Sequence, residues 1–374
     1  MRVGVPTEIK SGERRVGLTP NSVAELVTHG HEVLVQRGCG DGIGATAADY
    51  EAAGGMLVPD AAAVFDSADM VVKVKEPQPG ERAMLRPGQV LFTYLHLAPD
   101  PEQTKDLVAS GATCIAYETI TGADGGLPLL APMSQVAGRL SVQAGAHALE
   151  TSQGGAGVLL GGVPGVAPAR VVVIGGGVVG VNAIEMAIGL GADVTVLDRD
   201  LAVLDRLSRR FGASLRTVYS TGATLRAEVL GSDLVIGAVL VKGARAPRLV
   251  TADMLPLMRD GSVLVDVAID QGGCFETSRP TTHADPTYII DGIVHYCVAN
   301  MPGAVPRTSA MALNNATLPY VLRLADHGVR TTLSTDPLFA AGLNVHAGVV
   351  TEPAVAADQG YEHVDPISAL HRRS

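Results

Sequence analysis

One stretch near the middle of the chain constrains the fold more than any other part of the sequence. Residues 171–174 form a β-branched apolar run that is typical of a buried parallel strand. A Gly-x-Gly-x-x-Gly motif follows directly at 175–180, and a helical pattern continues to residue 191. A second apolar run, 194–197, ends at Asp198. This order of strand, glycines, helix, strand and acid predicts a βαβ unit that binds a dinucleotide; the alternative is a glycine turn that binds nothing.

Each polar or flexible position of this unit has a physical task. Gly175 permits a tight turn, Gly177 lets the backbone approach a pyrophosphate, and Gly180 lets helix and strand pack closely. The pyrophosphate would lie at the helix N-terminus, where N–H groups without helical partners favour an anion. Asp198 lies about 20 residues further along, where its carboxylate can accept hydrogen bonds from a ribose diol.

The composition argues against several other classes of protein. A chain of 374 residues is too long for one ordinary core, so we expect two domains. A net charge of −10 and an aromatic content of 3% argue against nucleic-acid binding. Apolar runs fall short of the roughly 18 residues that a membrane span needs, and the polar N-terminus does not resemble a signal peptide. The four cysteines are isolated, which predicts reduced thiols in a cytoplasmic protein.

Ionisable side chains follow three successive predicted strands in the first part of the chain. These strands end directly before Lys75, His96 and the pair Tyr117-Glu118. Because the carboxyl ends of parallel strands form the ligand edge of an open α/β sheet, these groups predict a binding site. The glycine loop 38–44 lacks the context of a nucleotide loop, so we expect it to form a plain turn.

The alternation of strand and helix continues beyond Asp198. Predicted strands at 262–268 and 294–299 end shortly before Asp270 and Asn300. The second sheet therefore also gathers polar groups at its carboxyl edge. A helix predicted from Pro306 onwards returns the chain to the first domain.

Seven stretches of the sequence resemble the alanine dehydrogenase / transhydrogenase N-terminal-domain family, over residues 1 to about 328. The resemblance implies an α/β protein with two Rossmann-like domains, parallel sheets flanked by helices, and a cleft between the domains. It implies a substrate domain at 1–128 plus 307–374 and an NAD-binding domain at 129–306. The matching stretches are RVGVPTE (2–8), VKEP (74–77), LFTYLHL (91–97), LLAPMS (129–134), GGVPG (161–165), DVAIDQGG (266–273) and VANMPGAVP (298–306).

The resemblance also implies a reaction, the conversion of L-alanine, NAD⁺ and water to pyruvate, ammonium and NADH, in a homo-oligomer that is commonly a hexamer. Arg15 and Lys75 match the positions that bind the substrate carboxylate, Arg15 as a fork and Lys75 as a point charge. His96 matches the catalytic acid/base, a role suited to imidazole because it titrates near neutral pH. Asp270 matches a second catalytic residue, which we expect to meet His96 across the cleft.

The family's cofactor contacts carry over residue by residue. The glycine unit departs from many relatives at Val203, where a basic residue is common, and Arg199 follows Asp198 instead. Glu118 and His327 match a metal pair, and with it Mg²⁺, although two ligands alone define no geometry. The implied NAD contacts are Ser134, Gly175, Gly177, Val178, Val179, Gly180, Asp198, Ser220, Val239, Leu240, Val267, Ala268, Ile269, Asp270, Arg279, Val298, Ala299, Asn300 and Met301.

Two other functions remain open from the sequence. The first is the soluble NAD(H)-binding component of a proton-translocating transhydrogenase, which exchanges hydride with a second nucleotide domain. The second is an NAD-sensing protein without activity. The retained Arg15, Lys75 and His96 favour the amino-acid dehydrogenase over both, because neither alternative needs a carboxylate clamp beside an acid/base.

Overall fold

The computed structural model describes residues 1–239 and 246–372, which form two compact units. Unit 1 contains Met1–Met133 and the chain from Val305 onwards, and unit 2 contains Ser134–Ala304. The predicted assignment of a substrate role to 1–128 plus 307–374 and of a cofactor role to 129–306 stays a prediction. The α/β fold class is confirmed, since each unit is a sheet flanked by helices.

The strands and helices follow one another in a regular alternation through most of the chain. The strands are β1 (Arg2–Val5), β2 (Glu32–Gln36), β3 (Met56–Val58), β4 (Met70–Val72), β5 (Val90–Thr93), β6 (Thr113–Ala116), β7 (Arg170–Ile174), β8 (Asp193–Asp198), β9 (Leu215–Tyr219), β10 (Leu234–Gly237), β11 (Val263–Asp266), β12 (Thr287–Ile290), β13 (Ile293–Tyr296), β14 (Leu343–His346) and β15 (Val349–Val350). The helices are α1 (Pro20–Thr28), α2 (Ala47–Ala52), α3 (Ala61–Ser67), α4 (Pro79–Arg82), α5 (Pro101–Ser110), α6 (Ala131–Ala148), α7 (Val178–Gly189), α8 (Leu201–Phe211), α9 (Gly222–Leu230), α10 (Pro306–His327), α11 (Val329–Thr335), α12 (Pro337–Ala340), α13 (Pro353–Gln359) and α14 (Pro366–Ala369).

Unit 1 is built on a sheet in the order β15-β14-β6-β5-β4-β1-β2-β3. The strands from β6 to β3 are parallel, and β14 pairs antiparallel with β6. The inner strands are continuous apolar runs that are buried along their whole length, as in β4 and β5. Such runs are expected where helices cover both faces of a parallel sheet. The sequence pattern predicts helical stretches in the tail beyond residue 331, and the structure adds the β14–β15 hairpin there.

Unit 2 has a sheet in the order β12-β13-β11-β10-β7-β8-β9. All neighbours are parallel except the β12–β13 pair at one edge. The chain moves outward from β7 to β8 and β9 on one side, then returns to β10 and β11 on the other. This reversal places a topological switch point beside β7, where the carboxyl ends of the strands open a crevice for a ligand.

Two further observations concern the described residues as a whole. No helix among them is both long and apolar enough to cross a membrane. Four cysteines are present as free, buried thiols: Cys39, Cys114, Cys274 and Cys297.

Candidate active site

The glycine motif of unit 2 directly follows β7. Gly175 has a φ of +102°, and a Cβ on it would lie 2.7 Å from the carbonyl oxygen of Ala238. A Cβ on Gly180 would lie 1.8 Å from the Gly175 carbonyl oxygen, so helix α7 could not approach the turn with any side chain there. Gly177 is the N-cap of α7, no side chain caps the helix, and the space around its Cα is open. The N-terminus of α7 is therefore a cradle that a pyrophosphate fits.

Asp198 lies at the end of β8, beside this cradle. Its Oδ2 accepts a hydrogen bond of 2.7 Å from the Gly176 N–H, and its Oδ1 accepts one of 2.9 Å from the Asp200 N–H. Both oxygens keep a second lone pair for a ribose hydroxyl. Arg199 is exposed, whereas Val203 packs so closely over Gly176 that a Cβ there would meet its Cγ1 at 2.5 Å.

The loop after β11 carries Asp270 and is folded around the buried Asp266. The Asp266 carboxylate accepts hydrogen bonds from the backbone N–H groups of Cys274 (2.9 Å) and Phe275 (3.2 Å) and from the Ser278 hydroxyl (2.5 Å). Burial raises the pKa of Asp266, although these donors oppose the rise. The Asp266 carboxylate at the start of the loop therefore binds the backbone at its end, and the exposed Asp270 lies in the segment between these two points.

Asn300 lies in the segment that follows β13 and contacts the loop that carries Asp270. It has a φ of +56°, and its backbone N–H donates to Asp270 Oδ1 at 3.4 Å.

Arg279 stacks its guanidinium 4.2 Å above the centroid of the Tyr288 ring, which itself stacks on His295.

Most predicted NAD contacts of unit 2 lie after the carboxyl ends of parallel strands. Glycines 175–180 follow β7, Ser220 follows β9, Val239 follows β10 and residues 267–270 follow β11. The predicted contact Leu240 lies outside the described residues. Their exposure varies: Gly177, Val178, Asp270 and Arg279 are exposed; Ser134, Gly175, Val179, Asp198, Ser220, Val239, Val267, Ala299 and Asn300 are half-buried; Gly180, Ala268, Ile269, Val298 and Met301 are buried.

In unit 1, Arg15 is held by a buried ion pair. Its Nε donates to Glu13 Oε1 at 2.7 Å and its Nη2 to Glu13 Oε2 at 2.5 Å, a two-pronged arrangement. Its Nη1 lies 3.0 Å from the sulfur of Met133. Burial alone would raise the pKa of Glu13, but hydrogen bonds and charge from Arg15 hold it at about 2. The side chains of both partners are only 1% exposed, so this pair is part of the interior.

Lys75 follows β4 on a backbone that a second buried carboxylate fixes. Glu8 accepts hydrogen bonds from the backbone N–H of Val74 at 2.6 Å and of Lys75 at 3.3 Å. Glu8 also accepts a hydrogen bond from Lys73 Nζ at 3.1 Å, and the same Nζ donates to Glu81 at 2.7 Å. Burial would lower the pKa of Lys73, but the two carboxylates raise it on balance. The backbone of the half-buried Lys75 is thus held by a buried charge cluster of Glu8, Lys73 and Glu81.

His96 lies three residues after the end of β5, in a strained backbone conformation with a φ of +50°. Its backbone N–H donates to Glu118 Oε1 at 2.6 Å, and that oxygen also accepts from the Leu95 N–H at 3.0 Å. The imidazole Nδ1 is 3.8 Å from the same carboxylate oxygen. The ring stacks on Tyr94 with centroids 5.8 Å apart and planes 8° apart, while 44% of its side chain stays exposed. Glu118 and Tyr94 therefore fix a ring that remains accessible.

The three predicted groups of unit 1 belong to one connected cluster. The charge of Lys75 acts on Glu13, the carboxylate that pairs with Arg15. Tyr94, which lies beneath the His96 ring, also interacts electrostatically with Arg15. Two cations and an imidazole thus share one neighbourhood, which suits a small carboxylate substrate that exchanges protons.

The predicted metal pair, Glu118 and His327, stays a prediction. In the described part of the chain, no group of three or more His, Cys, Asp or Glu side chains could hold a metal ion. Glu118 is already engaged by two backbone N–H groups.

Known protein families account for nearly the whole chain. The model for the N-terminal domain of alanine dehydrogenase/PNT matches residues 4–137, and the model for the C-terminal domain matches residues 141–353. The chain belongs to the alanine dehydrogenase/PNT family. The family resemblance predicted from the sequence is confirmed.

Individual members of the family are similar to this chain in sequence over their full lengths. The alanine dehydrogenase of Halomonas elongata is 62% identical over 370 residues, covering 99% of this chain and 100% of its own. That of Mycobacterium tuberculosis is 54% identical with the same coverage. A solved L-alanine dehydrogenase superposes with a TM-score of 0.93 at 53% identity, covering 96% of this chain and 99% of its own. A transhydrogenase from Sinorhizobium meliloti has a TM-score of 0.83 at 24% identity, over 94% of this chain and 100% of its own, and shares the fold.

Several residues that shape this site were not identified from the sequence. Glu13, Glu8 and Asp266 each hold a predicted residue or its loop in place. The spacing of Glu13 and Arg15 was a usable signal, since a carboxylate two residues from a buried arginine can pair with it. Glu8 and Asp266 act through contacts over 66 and 8 residues, respectively, and gave no local signal.

Proposed function

We propose that this protein is an NAD-dependent alanine dehydrogenase, which converts L-alanine reversibly to pyruvate and ammonium. The observation that carries the proposal is the cluster of Arg15, Lys75 and His96 in unit 1. It supplies positive charge for a carboxylate and an accessible imidazole for proton transfer, and unit 2 carries a dinucleotide cradle in its own sheet. The full-length identity to alanine dehydrogenases supports the same function.

In this mechanism the substrate carboxylate binds to Arg15 and Lys75. Glu13 keeps Arg15 oriented, and the buried cluster beneath Lys75 keeps its backbone fixed. The compact ammonium group of Lys75 can also polarise the carbonyl of pyruvate in the reverse direction. NAD, when bound, accepts the hydride that leaves Cα.

In this proposal His96 transfers protons and Asp270 assists it. His96 takes a proton from the water that attacks the iminium carbon and returns one as ammonium leaves. Asp270 acts as the second group, orienting the water or stabilising the developing cation. The cradle at α7 would hold the pyrophosphate, and Asp198 the adenosine ribose, so that NAD is preferred over NADP.

The proposal extends to assembly and location. The exposed apolar side chains Leu159 (66% exposed), Val163 (53%) and Val166 (63%) lie on one loop of unit 2, which favours a homo-oligomer, and we expect a hexamer. Sedimentation of the full chain tests this number. The four buried free thiols favour a reducing, cytoplasmic location.

One assay separates this function from its alternative. NADH formation is followed with L-alanine, and with lysine, glutamate, serine and ornithine in parallel. We expect a signal that depends on alanine, and reversal with pyruvate and ammonium. No alanine-dependent signal, together with hydride exchange between two nucleotides, would favour a transhydrogenase component. NADH binding without either reaction would favour an NAD sensor.

A further inference from the structure

The glycine loop 38–44 of unit 1 forms turns, as the sequence predicts, and its backbone is held by internal hydrogen bonds. It follows β2 and contains a short 3₁₀ turn, Asp41–Ile43. Its backbone closes on itself: Ile43 N–H and Ala45 N–H both donate to the Gly40 carbonyl at 3.0 Å. Internal hydrogen bonds of this kind keep the loop from yielding when a neighbour presses on it.

One residue of the loop touches the segment that carries Arg15. A Cβ placed on Gly42 would lie 2.2 Å from the carbonyl oxygen of Arg14, 2.7 Å from its Cβ and 3.0 Å from its carbonyl carbon. Real Cβ atoms essentially never approach heavy atoms closer than about 3 Å, because repulsion rises steeply there. Two of the three neighbours are backbone atoms, so a side chain at residue 42 must displace the backbone at residue 14.

A buried tyrosine packs against another residue of the loop. A Cβ on Gly40 would meet Cε2 of Tyr50 at 2.7 Å. Tyr50 is 1% exposed, and its hydroxyl donates to the Leu18 carbonyl at 3.0 Å. The loop is thus held by its own hydrogen bonds and by the contact between Gly40 and Tyr50. We therefore expect added volume at Gly42 to displace the Arg14 segment.

The backbone at residue 14 is linked to the Arg15 guanidinium through Glu13. Glu13 Oε1 accepts the backbone N–H of Arg14 at 3.1 Å and of Arg15 at 2.9 Å. The same oxygen accepts Arg15 Nε at 2.7 Å. A shift of the Arg14 peptide therefore moves the carboxylate that orients the guanidinium.

We propose that Gly42 is a positioning residue for Arg15, and that the glycine loop sets how well the enzyme binds the carboxylate of its substrate. The inference rests on the proposed function. An open pocket of about 320 Å³ is lined by the loop, by the Glu13–Arg15 segment and by Thr7 and Glu8. Gly42 lines this pocket and also contacts the backbone of Arg14.

The test compares Gly42→Ala with Gly44→Ala. Both substitutions add one methyl group to the same loop, but a Cβ on Gly44 would have no heavy atom within 4 Å. Gly44 has a φ of +76°, so its alanine variant reports the effect of backbone strain without contact to Arg14. We expect Gly42→Ala to raise KM for pyruvate and for L-alanine by about tenfold to a hundredfold, as for a substrate-positioning group moved by about 1 Å.

Two controls separate positioning from general damage. The affinity for NADH, measured by fluorescence titration, should be unchanged in Gly42→Ala, because its cradle lies in unit 2. In the Arg15→Ala background, Gly42→Ala should add no further rise in KM, because the two changes act on the same interaction. Gly44→Ala should lower the melting temperature and leave KM near that of the parent.

Clear outcomes overturn the inference. These are an unchanged KM in Gly42→Ala, an equal rise in Gly44→Ala, or a full additional rise in the Arg15→Ala background. If Gly42→Ala does not fold, Tyr50→Phe loosens the contact that holds Gly40 by removing the hydrogen bond to Leu18. We expect its KM for pyruvate to rise a few-fold with kcat retained, and an unchanged KM would contradict the role of the loop. A parent protein that is inactive with alanine and pyruvate would overturn the proposed function instead.

Discussion

The two units hold their chemical groups by different means. In unit 1, charged side chains are held by other charged side chains inside the protein: Arg15 by Glu13, and Lys73 by Glu8 and Glu81. Such a pair depends on both partners, because removing one leaves the other buried and uncompensated. We therefore expect these charged groups of unit 1 to be sensitive to the removal of a partner side chain.

In unit 2, the polar groups are held by the backbone. Asp198 accepts from the Gly176 and Asp200 N–H groups, and the turn at Gly175 and Gly180 leaves no space for a Cβ. We expect a site of this kind to be sensitive to the addition of atoms, and in the proposed function it binds the pyrophosphate and ribose that dinucleotides share. The proposed substrate region, in contrast, selects by the charge and position of a few side chains. Mutations that affect one function and spare the other test this division.

The largest expected effect is that of His96→Ala. Because the imidazole moves protons in the proposed mechanism, we expect kcat to fall by about 10²–10⁴. NADH binding, measured by fluorescence titration, should be retained. His147→Ala, which removes an exposed histidine of α6, is the matched control and should keep full turnover. Near-normal kcat in His96→Ala would remove this residue from the mechanism.

Arg15→Ala should damage both substrate use and stability. We expect kcat/KM for pyruvate to fall by roughly a hundredfold, and the free energy of unfolding to fall by about 3–5 kcal/mol because Glu13 stays buried without its partner. The double variant Glu13→Leu/Arg15→Met should regain stability in denaturant unfolding but not activity. Lys75→Ala should impair the use of pyruvate and alanine while the affinity for NADH remains. For either variant, lost NADH binding with an unchanged KM for alanine would mean that Arg15 and Lys75 bind the nucleotide rather than the substrate.

The buried pair also predicts a dependence of stability on pH. The pKa of Glu13 is about 2 in the folded protein against an ordinary 4.5, so its contribution is complete above pH 4.5 and is lost as the pH falls toward 2. The lost free energy is about 3 kcal/mol. Denaturant unfolding at a series of pH values should show a steeper acid decline in the parent than in Glu13→Gln. Parallel curves for the two proteins would contradict the assignment.

The smallest effect is expected for Asp198→Ala, because the backbone supplies most of the cradle. The parent should strongly prefer NAD, since the carboxylate repels a 2′-phosphate. The variant should use NAD less well and NADP relatively better, with Arg199 as a partner for the phosphate. Measuring kcat/KM for both cofactors in both proteins tests this, with the exposed Asp205→Ala as control. Use of NADP by the parent would show that Arg199 already governs the pocket.

The sequence predicted those parts of the molecule that depend on local order. The glycine turn, the helix after it and the acid at the end of β8 follow one another within about 30 residues, so their roles could be assigned from spacing alone. The positions of Lys75 and His96 after strands were predicted for the same reason. The β14–β15 hairpin was missed because β15 has two residues, too few for a recognisable pattern.

The supports of the site depend on contacts between distant residues. Glu8 reaches the backbone at Val74, and Gly42 reaches Arg14, across other elements of the unit. Nothing in the neighbourhood of either residue in the sequence predicts its partner. Glu118 likewise accepts the backbone N–H groups of Leu95 and His96, a contact that the order of residues in the sequence did not predict.

The antiparallel pairing of β14 with β6 has a consequence for synthesis of the chain. Strand β6 is made before the whole of unit 2, and β14 after it, so unit 1 cannot complete its sheet while unit 2 is being translated. Unit 2 is continuous in sequence and can fold first, as contiguous domains generally do. During that interval β6 presents an open edge that another chain could pair with. Folding of this protein is therefore most exposed to aggregation between the emergence of β6 and that of β14.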